Sequence, residues 1–126
     1  MGHIIDILVF TNTSNTTCIE QGYPGVAGLN AQGKQVVQAG RTTQGYVRAL
    51  PGQAIPVVTL PPGQTASATV EGDDVPRGSE TSCPTYPSLL VTPPNTTTSM
   101  VVHLGMAGCV PVQVHPVVPG RTGVLA

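Results

Sequence analysis

Apolar and polar positions alternate along much of this 126-residue chain with a period of two, the spacing of a strand that buries one face. The clearest case lies toward the C-terminus. Met100, Val102 and Leu104 fall on one face against Ser99, Val101 and His103, and Val110, Val112 and Val114 oppose Pro111, Gln113 and His115. Two strands are predicted there, over residues 98–104 and 110–115, joined as a hairpin around residues 105–108. At the other end, Ile4, Ile5, Ile7, Leu8, Val9 and Phe10 leave only Asp6 polar. That run predicts a strand over residues 4–11, covered on both sides or placed near a sheet centre. Shorter patterns predict strands through Cys18 and over residues 26–29, 34–39, 54–60, 65–71 and 88–92.

Turn residues separate these runs. Asn and Ser at residues 12–16 bond local backbone readily, Gly22-Tyr23-Pro24-Gly25 bends the chain, and Asn30-Ala31-Gln32-Gly33 has the form of a hairpin turn. In Pro61-Pro62-Gly63-Gln64, Pro62 presets φ and Gly63 supplies the positive φ of a type II turn. Residues 40–53 read as loop with a short edge strand. Residues 72–82, rich in Asp, Ser and Gly, read as an exposed and mobile loop that also resembles a thrombin recognition sequence at Val75-Pro76-Arg77-Gly78-Ser79. About seven to nine short strands so punctuated predict an all-β fold, an immunoglobulin-like β-sandwich in one domain over residues 1–126. The chain has no tryptophan, so the buried Trp of antibody domains is missing.

Composition sharpens the class. Eighteen valines against four aromatics specify a β-branched core, and 15 Gly with 13 Pro, spread along the chain, act as turn punctuation. Charged residues are 9 % of the total and the net charge is -1, so no electrostatic footprint for nucleic acid exists. No apolar run approaches the roughly 20 residues of a membrane-spanning helix. Residues 4–10 carry an acid and lack a basic leader, which reads as a strand and not a signal peptide. Three cysteines in so small a β chain favour an oxidising compartment.

Candidate chemistry is sparse. Met100, His103 and Met106 are copper-type donors, but Met100 and His103 fall on opposite strand faces and His115 lies far from His103 in the predicted hairpin, so both histidines are expected on the surface and no metal is assigned. Glu71, Asp73, Asp74 and Glu80 gather four acids in one predicted loop, without the ligand order of an EF-hand. No Gly-x-Ser-x-Gly elbow is present, and neither an enzyme activity nor a cofactor is expected. Asn12, Asn15 and Asn95 begin glycosylation-type triplets and are read as turn residues. Tyr23 is expected to be a half-buried corner residue.

Taken together, the segment from Asn12 through Cys18 to Val26, the Leu60-Pro61-Pro62-Gly63-Gln64-Thr65-Ala66 turn, Ser82-Cys83-Pro84, Leu90-Val91-Thr92-Pro93-Pro94 and the late Cys109 resemble the actinobacterial exported and lipoprotein family called domain of unknown function 4232. The resemblance spans about Leu8 to Pro119. It implies a disulfide between Cys18 and Cys83, and a cysteine-bearing strand upstream of Gly2 that would partner Cys109; without that first strand, Cys109 is expected to be unpaired or intermolecular. Dimerisation through Cys109 or through an open sheet edge follows from the same expectation. The family carries no established catalytic residue. The expected role is a secreted or cell-envelope, non-catalytic module binding a protein, glycan or lipid partner, with a small-ligand or metal carrier as the alternative.

Overall fold

The computed structural model describes residues 3–44, 50, 54–73, 75, 81–94, 99–103, 105–107 and 112–125. Among them are thirteen strands and no helix: β1 (His3–Thr11), β2 (Cys18–Gln21), β3 (Gly25–Leu29), β4 (Gln35–Gln38), β5 (Gly40–Arg41), β6 (Val57–Leu60), β7 (Thr65–Asp73), β8 (Thr85–Tyr86), β9 (Ser88–Thr92), β10 (Met100–Val102), β11 (Met106–Ala107), β12 (Gln113–Val114) and β13 (Val118–Pro119). Five of these are two-residue bridges, so eight strands of three residues or more carry the fold. The chain is an all-β sandwich, as its alternation predicts.

One sheet runs β1-β7-β12-β5, with β13 also on β7; the other runs β10-β9-β3-β4. Two-stranded ladders β8/β11 and β2/β6 complete the framework. The core lies between the sheets, where Leu8, Val70 and Val114 of the first meet Val26, Leu89 and Val91 of the second. A smaller apolar cluster of Val58, Leu60, Ala66, Ala68 and Val117 packs β6 against the far end of β7. Gly28 is where the core is tightest: a Cβ there would lie 2.7 Å from both Tyr86 Cγ and Val37 Cγ1. The absent side chain lets the buried Tyr86 ring lie on the β3 backbone.

The turns take the expected chemistry. Gly33 and Gly63 adopt φ of 77° and 82°, closing hydrogen bonds from Gly33 N to Asn30 O and from Gln64 N to Pro61 O. The turn at Pro62-Gly63 does not pair its flanking strands, however, because β6 pairs with β2 and β7 with β1. The predicted final hairpin is also corrected. β10 pairs with β9, whereas β12 pairs with β7 and runs parallel to β5, so the two patterns belong to opposite sheets.

A third correction concerns which strand is covered. β1 is an edge strand among the described residues, and its outward Ile5, Ile7 and Val9 are 43 %, 43 % and 41 % exposed. β7, with polar residues at every second position, is buried on both faces. The C-terminal segment accounts for this. His115 N and Gly120 N donate to Thr69 O and Thr65 O, Gly123 N donates to Ser67 Oγ, and Thr69 Oγ1 donates to Gly123 O. The segment thus supplies partners to a polar face that burial would otherwise penalise. Most of the predicted mobile loop at residues 72–82, Arg77 included, lies outside the described residues, while Gly72 and Asp73 belong to β7.

Candidate ligand groove and the buried cluster beside it

The Gly-Tyr-Pro-Gly corner forms one wall of an open groove of about 570 Å³ at one end of the sandwich. Gly22 takes a φ of 99°, which an L side chain rarely adopts, and its carbonyl accepts from Val117 N. Pro24 is fully buried and anchors the bend, leaving Tyr23 half-buried above it, as the sequence predicts. The remaining lining comes from Gln21 at the end of β2, Gln38 of β4, Arg41 of β5, and Thr92, Pro93 and Pro94 where β9 ends. Strand ends from both sheets therefore converge there.

Polar side chains able to hydrogen-bond, Gln21, Tyr23, Gln38, Arg41 and Thr92, share this lining with Gly and Pro. Arg41 is exposed, and no carboxylate lies within ion-pair distance of it among the described residues. Gln35 Nε2 donates to Gln38 Oε1 at 3.1 Å, which uses one of that oxygen's two lone pairs and leaves the Gln38 amide able both to donate and to accept. Among the described residues no Asp or Glu lines it. Glu20, next to Gln21, alternates to the other face of β2, where burial raises its carboxyl above the usual range.

β5 is two residues long, yet its backbone is held firmly. Gly40 N donates to Val112 O and Thr42 N to Val114 O, and His115 Nδ1 donates to Thr42 O at 2.8 Å. His115 is fully buried, and its Nε2 meets Oε2 of Glu71, itself 2 % exposed, while His3 Nε2 bonds Glu71 Oε1 at 2.6 Å. A carbonyl only accepts, so His115 Nδ1 carries the hydrogen of its bond to Thr42. This His-Glu-His cluster joins β1, β7 and the C-terminal segment to the residue after Arg41.

The fold places several of these groups differently from the sequence expectation. His115, just after β12, is buried rather than on the surface, its ring held between Thr42 O and Glu71 of β7; His103 is exposed, as expected. Glu71 and Asp73 are buried strand residues rather than members of a solvated acidic loop, and Asp74 and Glu80 lie outside the described residues. Met100 is exposed while Met106 is buried, and among the described residues no three His, Cys, Asp or Glu side chains converge to hold a metal ion. The structure also corrects the expected Cys18–Cys83 bridge. Cys18 is a free, half-buried thiol packed on the smaller cluster, whereas Cys83 is disulfide-bonded, and Cys109 lies outside the described residues.

Of the glycosylation-type asparagines, Asn12 is buried and fully engaged. Its Nδ2 donates to Thr16 O and Leu60 O, and its Oδ1 accepts from Ser14 N and Oγ. Asn95 lies outside the described residues. His3 and Arg41 had no local signal, since a lone residue of either kind in a strand is ordinary; only pairing brings them to Glu71 and to the groove.

The family model described as "Domain of unknown function (DUF4232)" matches residues 1–118, and the chain belongs to that family. No curated protein and no solved structure matches it.

Proposed function

We propose that this member of the 4232 family is an exported, non-catalytic binding domain of the cell envelope or secretome, engaging a protein, glycan or lipid partner at the loop end of its sandwich. The observation that carries this reading is the groove under Tyr23 and Arg41, an open site lined by hydrogen-bonding side chains with an arginine that has no acidic partner among the described residues. Export is supported by the disulfide at Cys83, a bond that persists in oxidising compartments. A non-catalytic role is supported by the His-Glu-His cluster, whose Glu71 and His115 are spent on each other and on backbone, away from solvent.

The carrier alternative has one observation in its favour. An apolar recess of about 490 Å³ is lined by Ile4, Tyr86, Pro87 and Met106 beside β8 and β11. A fragment screen followed by amide chemical shifts separates the two readings. Hits should perturb Gly22, Gly25, Arg41 and Thr92; perturbations confined to Ile4, Tyr86 and Met106 would favour the carrier, and a screen without hits at either place would remove the binding reading.

A further inference from the structure

We infer that the groove recognises an acidic sugar, with a uronate-type carboxylate on Arg41 and ring hydroxyls on Gln21 and Gln38; this rests on the binding-domain reading above. The chemistry of the lining leads there. Arg41 offers a planar fork of five donors that matches a carboxylate in a bidentate pair, and Gln21 and Gln38 add side-chain amides to the same lining, each able to donate to and accept from a hydroxyl. With no acid in the lining among the described residues, an incoming anion meets no like charge from them.

The number of cations selects the kind of anion. A phosphate monoester carries close to two charges near neutral pH, while among the described residues this groove provides a single guanidinium and otherwise neutral polar groups. One planar monoanion is the better charge match. Neutral polar groups from Gln21, Gln38, Thr92 and Tyr23 surround that one charge, which suits a ligand with several hydroxyls around a single carboxylate. Tyr23 adds a half-buried aromatic surface with a polar tip, next to the buried Pro24. On the opposite wall, the β5 backbone at Arg41 is held by the β12 ladder and by His115 on Thr42 O, so its starting position is set by buried contacts.

The test is calorimetric titration with tetragalacturonic acid, with the fully methyl-esterified oligosaccharide as the uncharged control and an acetylated dipeptide with a free C-terminus and inorganic phosphate as further arms. Tetragalacturonate should bind, and the ester and the Arg41→Gln variant should each bind at least about tenfold more weakly, the loss of one charge-assisted pair. Arg41→Lys should recover only part of the affinity, since an ammonium lacks the fork. An unchanged unfolding midpoint in both variants confirms that folding is intact. Equal binding of acid and ester would overturn the carboxylate assignment while leaving a binding domain. Equal or tighter binding of the dipeptide or phosphate would overturn the sugar assignment. No binding of tetragalacturonate would overturn the inference outright, and the fragment screen would then decide the broader reading separately.

Discussion

Asp6 sits on the inward face of β1 between Ile4 and Leu8, opposite Val70, and its Oδ2 is buried without a hydrogen-bond partner. Burial raises its carboxyl above the usual range, so the folded chain holds that proton more tightly than the unfolded chain. Stability should therefore fall as pH rises from the ordinary carboxylate value through the raised one, and the full penalty should stand above it. Replacing Asp6 with Val should remove that slope and stabilise the domain at pH 7 by about 1 kcal/mol, a value reduced for the partial exposure of the group. Urea unfolding of both chains at pH 4 and pH 7 checks it; a variant less stable than the parent at pH 7 would show that the carboxylate has a favourable role. Gly28 is the opposite kind of residue, fitted closely to its surroundings. Gly28→Ala should cost about 1–3 kcal/mol by forcing Tyr86 off the β3 backbone, read as a lower unfolding midpoint.

At the scale of elements, β1 and β7 show how alternation can be read correctly and placed wrongly. Both are strands, but the apolar one lies at a described edge and the polar one in the sheet interior. The polar face of β7 is viable because His3, His115 and the backbone of residues 115–123 meet it. Those partners make the cluster sensitive to one-sided change. His115→Leu leaves Glu71 buried with one partner fewer and releases Thr42 O, and should destabilise by about 3 kcal/mol or more, beyond a typical surface substitution. Hydrogen exchange should show the loss first at Thr42 and in the segment after His115. Gly123→Ala tests the same segment from its far end. The new Cβ would lie 2.3 Å from Thr69 Oγ1 at a φ of 73°, so residues 120–124 should lift from β7 and lose protection.

For the whole molecule, the cysteines set the framework. The chain has three, Cys18 is free, and Cys83 is bonded, so peptide mapping without reduction should recover Cys83 joined to Cys109. Reductant should lower the unfolding midpoint of the parent, and Cys18→Ser should leave that response unchanged. The exposed Ile5-Ile7-Val9 stripe on β1 sits on the described sheet edge, where unpaired backbone groups template pairing with a second chain. Ile7→Lys should shift any concentration-dependent dimer in gel filtration toward monomer; a parent already monomeric at high concentration would remove edge pairing as a route to assembly.

What the sequence determined by itself is local. A period of two, valine in place of aromatics, and Gly, Pro and Asn between the runs specify strands and turns through near-neighbour sterics, which is why β2, β3, β4, β9 and the turns at Gly33 and Gly63 fall where alternation puts them. The corner at Tyr23 was legible for the same reason. Pairing between distant segments was not: it depends on which faces find partners across the fold, and only the assembled sheets decided it. Residues 98–104 and 110–115 have hairpin-like patterns yet join opposite sheets, Glu71, at the end of the strand predicted over 65–71, meets His115 across 44 residues of sequence, and Cys18 stays free on the smaller apolar cluster. Arg41 enters the groove only because β5 lies parallel to β12, a contact that no spacing within residues 40–53 encodes.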